Sequence, residues 1–410
     1  MSANQMTRRG FLAKTAGGAA ALGTTAAMAQ VASGANERLT IGIIGCGDRG
    51  TYLMNEIKKQ AEAHNVVIAA VCDVWKVNLD AAAARVKEWF GTEPAKATRF
   101  QDVLAIKDID AVVIATPDFM HTPILIEALQ ADKDAYVEKP MSLEVANANK
   151  ALDLARARQR VVQVGTQRRS DGRFKAAAKL YATGVLGEVS RATAANNVNH
   201  PRWAREFDNC KAEDVDWDAY LAIRPKQPFD PRLLRRWHHY RLCTNGISGL
   251  WMAHFSDAVH MITGATYPTS AVAHGGVYVW KDGRETSDTF QAMVEYPEGF
   301  LMSFAMGLAN AHPQFFSIHG TLGTLDMDAF KVSGAGGAGE KAIKEETKIK
   351  PEKNENHMGN WLECLRTREK PNADIQYGHQ HAVATILAAA ALHTGQRHVY
   401  DVAKREIRPG

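Results

Sequence analysis

The sequence predicts an α/β chain whose N-terminal half is a doubly wound parallel sheet. Two observations carry that prediction. The apolar, β-branched run "LTIGIIGCG" (39–47) ends in glycines and leads straight into a helical segment, Thr51 to Gln60. From there to about residue 167, short apolar runs alternate with helical segments, the pattern of βαβ units.

Each element follows in order. Residues 1–35 read as an export signal: Arg8 and Arg9, then Phe11 and Leu12, an Ala/Gly-rich run from Ala16 to Ala27, and a small-x-small cleavage site at Ala27-Met28-Ala29. "TRRGFLAK" resembles the twin-arginine signal, whose route carries folded proteins, so a periplasmic location is expected. The first domain is expected over 36–160. It holds a second strand, "VVIAAVCDV", a helix from Val77 to Phe90, a strand "AVVIATP" and a helix from Pro123 to Gln130. A strand "DAYVEKP", a helix from Leu143 to Arg158 and a strand "VVQVGTQ" complete the alternation. A second domain is expected over 161–410.

The totals exclude several classes. Of 410 residues 46% are hydrophobic, enough for real cores, and the formal charge is only +4. Basic tracts with interleaved aromatics are absent, which argues against nucleic acid. No stretch approaches a membrane span. Five scattered cysteines, an odd count, do not make a disulfide framework.

The glycines carry chemistry. Gly45, Gly47 and Gly50 match Gly-x-Gly-x-x-Gly between a strand and a helix, the context of a Rossmann dinucleotide site. The backbone must turn tightly and approach a pyrophosphate, and the helix offers its free N–H groups to the phosphates. Asp48 and Arg49 lie in that loop. Asp73 ends the second strand, 23 residues after Gly50, where a carboxylate accepts from ribose hydroxyls and repels a 2′-phosphate. NAD is therefore expected over NADP, with Arg49 and Lys76 as the cations that keep NADP as a minor alternative. Thr116, Pro117, His121, Glu138, Lys139 and Gln167 fall at carboxyl ends of predicted strands, where ligands of such sheets collect.

"ATPDFMH", "EKPMS", "VGTQRR", "MAHFSD" and "TSDTFQAMVEYPEGF" together resemble the glucose-fructose oxidoreductase / inositol dehydrogenase / MocA (Gfo/Idh/MocA) family. The resemblance implies a C-terminal α+β domain with an open, mainly antiparallel sheet that covers the nicotinamide and mediates a homodimer or homotetramer. "GEVSRATAANNVN", "SAVAHGGVYVW", "DTFQAMVEY", "GFLMSFAMG", "QFFSIHG" and "GTLDMDAF" fit as its strands, and "HQHAVATILAAAALHTGQRHVYD" as a closing helix capped near Gly395 that packs back on the first domain. It also implies that Lys139 faces nicotinamide and substrate, and that His254 faces the substrate. Both suit proton transfer: a buried lysine loses basicity, and a histidine can take a hydroxyl proton. Pro140 fixes the turn beside Lys139. The departure is Leu250, where many relatives carry an aspartate that orients the histidine.

His254, Asp257 and His260 recur at intervals of three. They read as a substrate face, as packed polar residues, or least favourably as metal ligands; no metal site is expected. Aromatic rings beside planar donors suit sugars, which nominates Arg168, Trp203, Tyr240 and Asp257 as substrate contacts. The expected activity is hydride transfer from a sugar, polyol or glycoside to an internally recycled cofactor. A redox glycosidase (oxidation, elimination, reduction) is the alternative, and a non-catalytic sugar- or cofactor-binding module is the contrasting class.

Overall fold

The computed structural model describes residues 38–410; the predicted export signal lies outside them. The N-terminal sheet is entirely parallel, with six strands in the order β3-β2-β1-β4-β5-β6. They are β1 (Leu39–Ile44), β2 (Val66–Cys72), β3 (Ala95–Ala97), β4 (Ala111–Ile114), β5 (Asp134–Val137) and β6 (Val162–Val164). Helices α1 (Asp48–Gln60), α2 (Lys76–Phe90), α3 (Asp118–Gln130) and α4 (Val145–Ala157) connect them. β4 and β5 are buried along their whole length. That is why they read as continuous apolar runs rather than alternating ones. β6 pairs with β5, so the first sheet extends past residue 160.

The second sheet has ten strands. Val189–Asn196 runs parallel to Phe300–Gly307, and every other pairing is antiparallel. Along Thr289–Tyr296 buried and exposed residues alternate. Phe290, Ala292, Val294 and Tyr296 point into a core shared with Phe255, Val259 and Ile262 of α5 (Ala253–Thr263). The opposite face exposes Val272, Met293, Leu301 and Phe315.

Two late helices bind the halves together. α6 (His357–Thr367) puts Trp361 and Leu362 into the first-sheet core with Ile41 and Leu53. α7 (Ile375–Thr394) gives Ile375 and Ala382 to one core and Val383 and Leu387 to the other. It ends at Gly395, in the left-handed region at φ 69°. The expected helix therefore stops short of "HVYD": His398–Asp401 and Glu406–Pro409 are strands of the second sheet. All five cysteines are buried and unpaired. Among the described residues no helix is long and apolar enough to cross a membrane.

Candidate active site

The carboxyl ends of β1, β2, β4 and β5 open into a cleft of about 550 Å³. Leu250, His254 and parts of the segment 205–238 form its far wall. The three glycines divide the work. A Cβ on Gly45 (φ 90°) would stand 2.7 Å from the Ala115 backbone, and one on Gly50 1.9 Å from the Gly45 carbonyl oxygen. Both positions are closed to any side chain by the packing of strand against helix. A Cβ on Gly47 would meet nothing nearer than Asn78 Nδ2 at 3.8 Å. That glycine leaves room in the cleft, not in the core. α1 begins beside it with no side-chain cap, so its first N–H groups are free for an anion.

Asp73 braces this loop. Its Oδ2 accepts from Cys46 N at 2.7 Å and from Asn78 Nδ2 at 3.3 Å, and its Oδ1 from Trp75 N at 2.9 Å. Burial pushes its carboxyl upward, against those hydrogen bonds. The residue lines the cleft, and a carboxylate oxygen can accept more than one hydrogen bond. Thr116 Oγ1, also in the cleft wall, is buried without a partner. An open glycine, an uncapped helix start, a strand-end carboxylate and an orphan hydroxyl are what a dinucleotide would fill, so the residues present fit a nicotinamide dinucleotide.

Other predicted contacts are engaged with one another. Arg49 donates to Glu138 Oε1 through Nε (2.7 Å) and Nη2 (2.6 Å). Asp48 pairs with Arg205 Nη2 at 2.8 Å. Gln167 donates to the Tyr136 hydroxyl at 3.3 Å. Pro117 precedes α3 at the cleft edge. His121, expected to meet the cofactor, has both ring nitrogens against carbonyl oxygens, Nδ1 to Pro140 O (2.8 Å) and Nε2 to Thr116 O (2.9 Å). It braces the ends of β4 and β5 and has no ring nitrogen left for a ligand.

Lys139 and His254 face the same cleft. Lys139 Nζ donates to the Leu250 carbonyl at 2.8 Å, and the Lys139–Pro140 bond is cis. Burial lowers the lysine's basicity, partly opposed by Asp118. The chain enters α5 through one π-type turn, Ser248–Met252, a distortion common at functional sites. Leu250 lies in that turn and offers Lys139 its backbone, so the position that departs from the expected aspartate still contributes a polar contact. His254 follows in the first turn of α5, its ring edge-on to Trp251. Burial, then Lys139 and Arg168, keep its imidazole neutral, well below the usual histidine range.

The four nominated substrate residues do not line the cleft. Asp257 is fully buried: Arg169 Nε donates to its Oδ1 at 2.8 Å, and His381 Nδ1 lies 3.6 Å from the same oxygen. Although burial opposes its charge, the Arg169 guanidinium and the His381 contact hold its carboxyl far below the carboxylate range. It therefore lies behind the cleft wall rather than in it. Arg168 donates to the His254 carbonyl at 3.1 Å and covers the Phe255 ring at 4.2 Å, supporting the helix from behind. Tyr240 packs against the first-sheet core. Trp203 stacks on His238, with ring centroids 5.0 Å apart and planes 4° from parallel.

His238, from the cluster that nominated Tyr240, reaches the cleft instead. Trp237 stacks on its other side at 3.5 Å, the imidazole lines the cleft, and burial followed by Arg205 keeps it neutral. "RRWHHYR" gave a signal, aromatics flanking histidines, but nothing local says which ring turns inward. Among the described residues no group of three His, Cys, Asp or Glu side chains is placed to hold a metal ion.

Residues 39–166 match the family described as "Oxidoreductase family, NAD-binding Rossmann fold", and residues 221–326 match the "GFO/IDH/MocA C-terminal domain". The chain belongs to the Gfo/Idh/MocA oxidoreductase family. Within it, the chain is 28% identical over 185 residues to a glycosyl hydrolase family 109 protein of Shewanella baltica, covering 44% of this chain and 39% of that one. It is 30% identical over 160 residues to the inositol 2-dehydrogenase of Renibacterium salmoninarum, covering 38% and 46%. These matches span less than half of either relative. The fold is shared along nearly the whole length with the WlbA dehydrogenase of Bordetella pertussis, solved with NADH and UDP-GlcNAcA (TM-score 0.66, 19% identity, 89% of this chain and all of that one). It is also shared with the aldose-aldose oxidoreductase of Caulobacter crescentus, solved with glycerol (TM-score 0.65, 18% identity, 88% and 99%).

Proposed function

We propose that this family member is an exported enzyme that oxidises a CH–OH group of a sugar, polyol or glycoside, with NAD held tightly and regenerated in place. The observation that carries the reading is the pairing of Lys139 and His254, both shifted toward neutrality, in one cleft with the glycine loop. When bound, NAD supplies the hydride acceptor. Lys139, anchored by one N–H on Leu250, keeps two for the substrate's hydroxyl oxygen. His254, neutral, takes the hydroxyl proton as the carbon gives up its hydrogen. Two features support NAD over NADP: Asp73 would repel a 2′-phosphate, and Arg49 is already committed to Glu138.

Export rests on Arg8-Arg9 and the cleavage site, a route that would carry the cofactor out inside the folded protein into the periplasm. A scarce external supply then favours a cofactor that stays bound. The apolar outer face of the second sheet, with Met293, Leu301 and Phe315, suits a second copy of this chain in a dimer or tetramer. The test is to add aldoses, polyols and glycosides to the purified protein and follow the reduced-nicotinamide absorbance. A change with at least one class is expected; silence with all three classes contradicts the reading.

A second reading, oxidation followed by elimination of a glycosidic bond, is favoured by His238. Elimination needs a second proton acceptor, for the C–H next to the new carbonyl, and a second neutral imidazole lines this cleft. A glycosyl hydrolase among the relatives supports it. Release of the aglycone from a glycoside separates this reading from simple oxidation.

A further inference from the structure

We infer that residues 205–237 form a second wall of the cofactor site, a strap that closes over the adenosine half and gates the entry and exit of NAD(H). The inference rests on the reading above, that NAD is the resident cofactor. Sharing the cleft with Asn78, in the first turn of α2, and Thr98, just after β3, are Ala219, Tyr220 and Arg235 of this segment. The strap does not merely lie there. Val215 forms an antiparallel bridge with Trp75, and Asp216 N donates to Val74 O at 2.9 Å, directly beside Asp73. Asp216 Oδ2 accepts from Thr98 Oγ1 at 3.3 Å and faces Arg99 Nε at 3.4 Å. Arg235 covers the Trp75 ring at 4.8 Å.

At the pyrophosphate end a second tie crosses the mouth. Arg205 reaches Asp48, the first residue of α1, at 2.8 Å. Just beyond the Val215–Asp216 tie Tyr220 and Leu221 are buried in the same core as Ile44 and Cys72. A dinucleotide running from Gly47 to Asp73 therefore lies beneath chain that is bonded to the first domain at both ends. Leaving requires those ties to open, and so does entering.

This separates a gate from a simple contact. Loosening a gate raises the association and release rates together and leaves their ratio nearly unchanged. Losing a contact raises release alone. The experiment uses the full-length, cofactor-loaded protein. Bound NADH is displaced by excess NAD to give the release rate, and the same chain after release is mixed with NADH to give the association rate. Arg205→Ala removes a largely exposed pair, so both rates should rise about 2- to 5-fold. Asp216→Ala removes a half-buried charged partner of Thr98 and Arg99, and both rates should rise about 10-fold or more. Asp216→Asn, which keeps the side-chain acceptor, should fall between and guards against a folding defect. Release that quickens while association stays fixed, or rates untouched by either alanine variant, overturns the strap. Protein that neither carries nor binds NAD(H) overturns instead the cofactor reading on which the strap rests.

Discussion

Arg169→Met tests how the helix carrying His254 is held. Arg169 and Asp257 are 6% and 1% exposed at their side chains and share a hydrogen bond of 2.8 Å. Asp257 sits one turn beyond His254 on α5, and its Oδ2 has no partner at all. Removing the guanidinium leaves a buried carboxylate whose remaining polar neighbour is the His381 ring, with Nδ1 3.6 Å away and itself fully buried. Breaking such a pair costs about 3–5 kcal/mol, because the surviving charge stays desolvated. That is a large share of a total of roughly 5–15 kcal/mol. Asp257→Leu should cost a similar amount from the other side, since it strands Arg169, whose Nη2 already lacks a partner. The pair Arg169→Met with Asp257→Leu removes both charges and should cost well under the sum, giving a coupling of several kcal/mol. Because Asp257 titrates far below the ordinary 3.8, its contribution is present above that pH and is lost only in strong acid. The penalties should therefore be constant from about pH 5 to 8. Urea midpoints of the four proteins, at one fixed NAD concentration, provide the assay. Single variants costing under about 1 kcal/mol, or a double variant as costly as the sum, would refute the reasoning.

Lys139→Met and His254→Ala should each retain bound cofactor while slowing hydride transfer by about 100-fold or more, read in single-turnover absorbance with a proven substrate. Wild-type rates in both variants would remove them from the chemistry. Asp73→Ala should erode the preference for NAD over NADP, measured as the ratio of the two dissociation constants, and should also loosen the loop through Cys46 N. Buried histidines predict acid lability: burial brings His260 to about 3 and His357 and His379 to about 4, against an ordinary 6.5. Below 6.5 the unfolded chain binds protons that the folded one refuses, so stability should fall as pH drops from about 6.5 toward 4. A urea midpoint equal at pH 7 and pH 5 contradicts this.

The first domain was legible because its signals are local. The glycine spacing, the apolar runs and the strand-end Asp73 each fix geometry within a few residues; the short polar edge strand β3 was not read, and α3 begins at Asp118, five residues before the Pro123 expected to open it. α1 begins earlier than read, at Asp48, because an uncapped start carries no sequence signature. The substrate side was less legible. Asp257 and His254 sit three apart on one helix, yet Arg169 reaches Asp257 from 88 residues away, and Lys139 is held beside His254 by the backbone of Leu250, 111 residues from the lysine. His238 and Trp203 become a stack only when a loop folds over the first domain. The strand "HVYD" was read into the closing helix because its pairing with Ser270 and Ala271 is remote in sequence.

The central claim is a sugar-oxidising cleft whose NAD stays in place between turnovers. The most direct measurement is turnover by extensively washed, exported enzyme given a sugar, or a pair of sugars, with no added NAD. The account predicts many product molecules per enzyme and NAD(H) released only on denaturation. One turnover followed by a stop, relieved only by free NAD, would contradict it.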